Sequence, residues 1–439
     1  MLSPLRQLAR GLRDRLEGLF FRLWCLFNRV PVDNPRRQKL CRHGLRHVRK
    51  AHWTLSVLES YRTLWRYVLL AEWFAARDST KVVSRAREPD SQRILFIRLS
   101  HFGDTLHLIP LLRGLRTAFP QCTLDLLVGS HTEDLARRIP YLDRVHVYSP
   151  HLFHLHRGDA RRCLSLKQER ALGHALAQQA YDIAVATYGV GPVELFLIQA
   201  AGAAHWVGPV SKYNMSEPFG RQICVPFEAQ LYEATRMTRL GQYLGCALED
   251  ERLEFWITPE EEAEAHAWRQ RSGVGTAGYV ILCPAAGWPG KQWPLDRFAA
   301  IADRLIDQFG VTVFIGGAAH EREAGERLGQ HMAHAPVNLM GQTSWGVLAA
   351  LIRDARLFIG GDSGPMHLTP VYNTPCIALF GPTKPEQWAP RGAHARVIRN
   401  VASCPDCWPW HPGRDCVHQR ACMHAISIEQ VWSACKELV

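Results

Sequence analysis

RILFIRLSHFGDTLHLIPLLRGLRTAFPQCTLDLLVG, Arg93 to Gly129, decides the fold. It opens on RILFIRLS, an apolar run of strand length. It then passes into HFGDTLHLIPLLRGLRTAF, where apolar residues recur at helical spacing, and closes on a second strand-like run, CTLDLLVG. A strand, a helix and another strand in this order make a β-α-β unit.

Working outward, strand-like runs at Asp143 to Tyr148 and Asp182 to Thr187 extend a parallel sheet to about residue 190. A charged helical stretch, Pro259 to Gln270, follows, and then the pattern begins again. YVILCPAA leads to a helix over about Leu295 to Phe309. VTVFIGG leads to a helix from about Glu321, and RLFIGGDSG and PCIALFGP are two further strands. Two strand-helix series predict an α/β protein with two doubly wound, Rossmann-like domains, residues 91–260 and 271–439, facing a cleft. Ligands of such sheets bind beyond the carboxyl ends of the strands.

Residues 1–90 are a basic extension of another kind. They hold 19 Lys/Arg against 8 Asp/Glu, whereas the remaining chain has 33 of each, so the whole net charge of +11 sits here. The neutral main body has no basic stripe for a phosphate backbone, which argues against nucleic acid as its ligand. Leu5, Leu8, Leu12, Leu16, Leu19, Leu23 and Leu26 form one helical stripe beside Arg6, Arg10, Arg13 and Arg22. It fits an amphipathic helix on an anionic membrane surface, or a hairpin packed on the main body with its charges in water. No run has the length of apolar sequence a spanning helix needs. Thirteen cysteines without an N-terminal apolar signal segment suggest a reducing cytoplasm.

Three motifs carry chemistry. In IRLSHFGDTLHLIP, Gly103 permits a close turn, and the Asp104 carboxylate can either cap the following helix or reach a ligand. In CPAAGWPGKQWPLDRF, Lys291 lies on a loop between strand and helix, where it is either merely solvated or pairs with a diphosphate. In GGDSGPMHL, Asp362 and Ser363 precede Gly364 and Pro365, so a helix opens with orphan N–H groups that attract phosphate, and His367 projects from its first turn. A second glycine turn, GPTKP, with Gly381 and Thr383, follows the next strand and would converge on the same anion. A fourth cluster, CPDCWPWHPGRDCVHQRACMH, interleaves Cys404, Cys407, Cys416 and Cys422 with His411, His418 and His424. It is either a structural zinc or iron site or a thiol-rich loop without metal.

Together IRLSHFGDTLHLIPLLRGLRTAFP, AAGWPGKQWP and GGDSGPMHLTPVYNTPCIALFGPTKP resemble the heptosyltransferases of glycosyltransferase family 9 over about residues 93 to 435. The resemblance implies a GT-B fold, with the acceptor in the N-terminal domain and the nucleotide sugar in the C-terminal one. It implies transfer of heptose from ADP-heptose to a lipid-anchored inner-core saccharide of lipopolysaccharide, with inversion. Asp104 matches the family's general base and Lys291 the lysine on the donor phosphates. Glu321 matches an acidic residue near the ribose, and Asp362, Ser363, Gly364 and His367 match the donor turn, with Gly381 and Thr383 beside it. No cofactor or metal is required for catalysis on this reading. It places the protein in the cytoplasm, peripheral to the inner membrane, with residues 1–80 available to anionic lipid. Thr369-Pro370 and His101-Phe102 depart from the family's usual small residues. A protein-directed heptosyltransferase and a GT-B sugar-nucleotide epimerase are the alternative enzymes, and a non-catalytic scaffold the alternative without chemistry.

Overall fold

The computed structural model describes residues 89–148, 166–187, 192–209, 221–225, 228, 230–400 and 419–439. The leucine stripe and Trp-rich part of the N-terminal extension lie outside these residues, as do Cys404, Cys407, Cys416, His411 and His418.

Strand β1 (Arg93–Arg98) pairs in parallel with β2 (Thr123–Val128), and β2 with β3 (Arg144–Val147). Ile94, Leu95, Phe96 and Ile97 are all buried, as a strand covered on both faces requires. The helical stretch between β1 and β2 is broken into Phe102–Leu106 and Ile109–Ala118. Pro110 is the cause: inside a continuous helix it would remove one backbone bond and collide with the preceding turn, whereas in the first turn of a new helix it costs neither.

β4 (Ile183–Ala186), β5 (His205–Pro209) and β6 (Arg221–Val225) form a second parallel series, with helix Leu166–Ala177 before β4 and helix Pro192–Ala201 between β4 and β5. β5 and β6 carry His205, Pro209, Arg221 and Gln222, too polar a mixture to stand out as apolar runs.

The C-terminal series is a six-stranded parallel sheet in the order β12-β11-β10-β7-β8-β9. Its strands are β7 (Tyr279–Cys283), β8 (Thr312–Ile315), β9 (Val337–Asn338), β10 (Leu357–Gly361), β11 (Cys376–Phe380) and β12 (Ala395–Arg399). Every residue of β7, β10 and β11 is buried. Helix Leu295–Phe309 lays Phe298, Ala299, Ile301, Ala302 and Leu305 against this sheet. It stops at Gly310, whose φ of 64° closes the last turn with a bond from its N–H to the Ile306 carbonyl. The final helix, Ile428–Leu438, packs Val431, Ala434 and Cys435 into the same core.

The chain divides into two compact units. One joins Arg85–Ser149 to Pro226–Val439 and so contains β1 to β3 with β7 to β12; the other includes Pro150–Val225, with β4 to β6. Among the described residues, no helix is long and apolar enough to cross a membrane.

Candidate active site

Four of the loops singled out by sequence leave the carboxyl ends of β7, β8, β10 and β11, which are neighbours in the sheet. Parallel strands make this inevitable: each loop leaves from the same edge, so residues a hundred positions apart share one rim.

Lys291 ends a short turn, Pro289–Lys291, after β7. Its Nζ donates to Asp362 Oδ2 over 2.7 Å, and its carbonyl lies against Gly361. Asp362, just past β10, is 7% exposed. Burial pushes its carboxyl up, but the Lys291 ammonium and His367 outweigh burial and hold it well below the usual carboxylate range. His367 Nε2 stands 3.7 Å from Asp362 Oδ1. The turn after Ser363 is tighter than an α-helix: Gly364–Leu368 is 3₁₀, continuing as Thr369–Tyr372. Ser363 Oγ donates to the Gly361 carbonyl. Pro365 sits in the first turn, as the missing N–H of proline favours.

The turn at Asp104 meets this cluster directly. A Cβ added to Gly103 would stand 2.6 Å from His367 Nε2, so the ring packs on the bare Cα and only glycine fits. Phe102 stacks on Trp345, with ring centroids 3.7 Å apart and planes 11° apart. Gly364 lies under that stack, its absent Cβ 2.8 Å from Trp345 Cη2. Thus Gly103 and Gly364 are places of close approach between the first and third motifs.

Asp104 caps its helix and also faces a buried arginine. One oxygen, Oδ2, accepts the His101 N–H over 2.8 Å, capping helix Phe102–Leu106. The other, Oδ1, stands 3.5 Å from Nη2 of Arg98. Arg98 is the last residue of β1 and is fully buried, and the same Nη2 donates to Glu233 Oε1 over 2.8 Å. Glu233 is also held by Arg236 and by Gln387 Nε2, the latter at 3.3 Å. Burial raises its carboxyl, yet Arg98 and Arg236 bring it down to about 2. Behind Gly103, the buried ring of His107 donates from Nδ1 to the Gly103 carbonyl over 2.7 Å, which fixes its neutral tautomer. Burial first, and His367 second, lower His107 to about 4. Its ring meets that of His367 edge-on at 4.9 Å.

Arg98, His107, Glu233, Arg236 and Gln387 are therefore neighbours of the candidate site that motif reading does not single out. The available signal is Arg98 itself, a charge at the end of an otherwise apolar strand, immediately before the Asp104 turn.

The remaining expected residues are more local. Glu321 Oε2 accepts the Ala318 N–H over 2.8 Å, closing the loop after β8. Gly381 packs against the C-terminal segment, its absent Cβ 3.0 Å from Cys422 Sγ. Thr383 is buried and its hydroxyl makes no hydrogen bond among the described residues. Such an orphan is costly unless something else meets it. Cys422 is buried in the core of the C-terminal sheet. Among the described residues, no group of three or more His, Cys, Asp or Glu is placed to hold a metal.

The chain can now be set beside known proteins. Residues 169–409 match glycosyltransferase family 9 (heptosyltransferase). Lipooligosaccharide heptosyltransferase 2 of Haemophilus influenzae is 27% identical over 323 residues, 70% of this chain and 88% of that protein. The glycosyl transferase family 9 structure from Veillonella parvula superposes with a TM-score of 0.67 at 22% identity, covering 81% of this chain and 99% of that one. The Escherichia coli heptosyltransferase WaaC with ADP-2-deoxy-2-fluoro heptose gives 0.58 at 20% identity, covering 79% and 100%. These likenesses show the fold, the two-sheet GT-B architecture expected from the sequence. With more than half of its length matched by the family pattern, the chain belongs to glycosyltransferase family 9, a family of heptosyltransferases.

Proposed function

We propose that this enzyme transfers heptose from ADP-heptose to an inner-core saccharide of lipopolysaccharide, inverting the anomeric centre. The observation that carries the reading is the contact of Gly103 with His367, which brings the turn that bears Asp104 against the Lys291–Asp362–His367 cluster. A base on a turn packed against a charged phosphate cradle is what an inverting transfer needs.

In the proposed reaction, Asp104 accepts the proton of an acceptor hydroxyl as that oxygen attacks the anomeric carbon. The bond from carbon to the ADP oxygen breaks on the opposite face, through an oxocarbenium-like transition state. Charge then grows on the leaving diphosphate. The Lys291 ammonium, fixed in place by Asp362, and the N–H groups that open the Ser363–Gly364 turn would stabilise it there. We assign that charge to these groups rather than to a divalent cation. Glu321 would meet the ribose and the Thr383 hydroxyl the donor, at the rims of β8 and β11.

An acceptor of this class is lipid-anchored. We therefore place the enzyme on the cytoplasmic face of the inner membrane, with basic residues 1–80 attracted to anionic lipid. Deleting residues 1–80 and measuring sedimentation with anionic vesicles tests this; unchanged binding overturns it.

The function itself is tested by incubating the full chain with ADP-heptose, with and without a truncated inner-core acceptor, and weighing the products. One added heptose per acceptor is expected. Conversion of the donor without acceptor points instead to an epimerase, and heptose appearing only on a protein acceptor overturns the saccharide assignment.

A further inference from the structure

We propose that Arg98, Glu233 and Gln387 form a buried relay that positions Asp104 and ties it to the loop after β11, so that the base and that side of the donor site are set by one carboxylate. The proposal rests on the reading of Asp104 as the base.

Charge requires such an arrangement. Arg98 and Arg236 are both buried; among the described residues Glu233 lies within ion-pair reach of both and Asp104 within reach of Arg98, so these carboxylates supply counter-charge to the guanidinium groups. A buried guanidinium left without its counter-charge is strongly unfavourable. During transfer Asp104 takes up a proton and becomes neutral. Arg98 then keeps its shorter bond, 2.8 Å to Glu233, and has no reason to move. Glu233 therefore holds the guanidinium still through the step in which its other partner loses charge.

The far end of the relay is what makes it more than a local brace. Gln387 lies in the short helix Pro385–Trp388, directly after the Gly381–Pro385 turn, and reaches Glu233 across 154 positions of sequence. Its neighbour Trp388 packs edge-on against both His107 and His367. A shift of the turn at Gly381 and Thr383 is thus felt at Glu233 through Gln387, and at Asp104 through Arg98. These are positioning residues, since none is assigned to substrate.

The experiment uses the full chain carrying Gln387→Leu, Arg98→Lys, Arg98→Met and the Gln387→Leu/Arg98→Met pair, with single-turnover transfer, ADP affinity by calorimetry and thermal midpoints measured for each. Gln387→Leu is expected to slow transfer roughly five- to tenfold while ADP affinity changes less than about twofold. Arg98→Lys, which keeps a cation, is expected to recover much of what Arg98→Met loses. The paired variant is expected to lose little beyond Arg98→Met alone, because the relay is already interrupted. Additive losses, or ADP affinity falling in step with the rate, overturn the relay. Asp104→Asn in the same assay separates the two claims. If it retains full transfer, the assignment of the base fails. If it abolishes transfer while the relay variants turn over normally, the relay alone fails.

Discussion

The imidazole of His367 rests on the bare Cα of Gly103, with its Nε2 2.6 Å from where a Cβ would stand. His367 is buried, and Asp362, His107 and Trp388 also crowd its ring, so it has little room to retreat. Gly103→Ala is therefore expected to push His367 off Asp362. The overpacking should cost about 1–3 kcal/mol in stability. Transfer should fall about a hundredfold, as a displacement of roughly 1 Å in a positioned site can. Denaturant unfolding and steady-state kinetics read the two effects; a variant with normal turnover would show that His367 is not needed where it sits.

His107 predicts an acid-sensitive fold. Unfolded, it binds a proton below about pH 6.5; folded, it does so only below about 4. Between those values the unfolded state binds more protons, so stability rises with pH across the interval. The contribution is complete above the unfolded value and is lost as pH falls toward 4. Its size is at most about 3 kcal/mol. His107→Asn keeps an N–H near the Gly103 carbonyl but cannot titrate. Urea unfolding from pH 7.5 to 4.5 should show the deficit of the variant shrinking as pH falls. Parallel curves for the two proteins would contradict the assignment. Glu233, held at about 2, adds a second loss only at lower pH, below the usual carboxylate range.

Lys291 and Asp362 form a partly buried pair at the proposed donor site, with side chains 18% and 8% exposed. Lys291→Met leaves the carboxylate without its ammonium, and should destabilise by about 3 kcal/mol at neutral pH. Adding Asp362→Asn should restore part of that stability while ADP binding stays weak. The pH sign is opposite in the single variant and the native protein. Natively, the depressed carboxyl of Asp362 stabilises above the ordinary carboxylate range, and that contribution is lost only as pH falls below it. In Lys291→Met the buried carboxyl is raised instead, so acid should narrow the gap between the two melting curves. A gap independent of pH would mean that the pair is not what stabilises this loop.

Much of the fold is legible in the sequence, for a physical reason. Parallel strands buried on both faces must be continuous apolar runs, and YVILC, LFIGG and CIALF are such runs. β5 and β6 are not, because His205, Pro209, Arg221 and Gln222 interrupt them. The donor-side turn is equally legible, since Gly364 and Pro365 mark a helix start by their own backbone chemistry. The partners of Asp104 are hidden. Arg98 and Glu233 stand 135 positions apart, and Gln387 a further 154. Nothing in local spacing records a contact that only the folded chain creates. Phe102 shows the same limit: unusual as a residue before Gly103, it is explained only once Trp345 is seen stacked on it.

Asp104→Asn separates the cap that this side chain makes from the role of base proposed for it. An asparagine carbonyl oxygen can still accept the His101 N–H, so the cap of Phe102–Leu106 should survive, and with it most of the stability. What is lost is the ability to take a proton. Transfer should therefore fall about 10²- to 10⁴-fold, the usual contribution of general base catalysis. ADP affinity should stay within about threefold, because Lys291, Asp362 and the Ser363–Gly364 turn keep their geometry when the base is removed alone. Asp104→Ala removes the cap as well, and should add about 1 kcal/mol of destabilisation that the asparagine variant does not show. If both variants lose stability and activity together, Asp104 serves the helix and not the reaction, and the proton must be taken by another group.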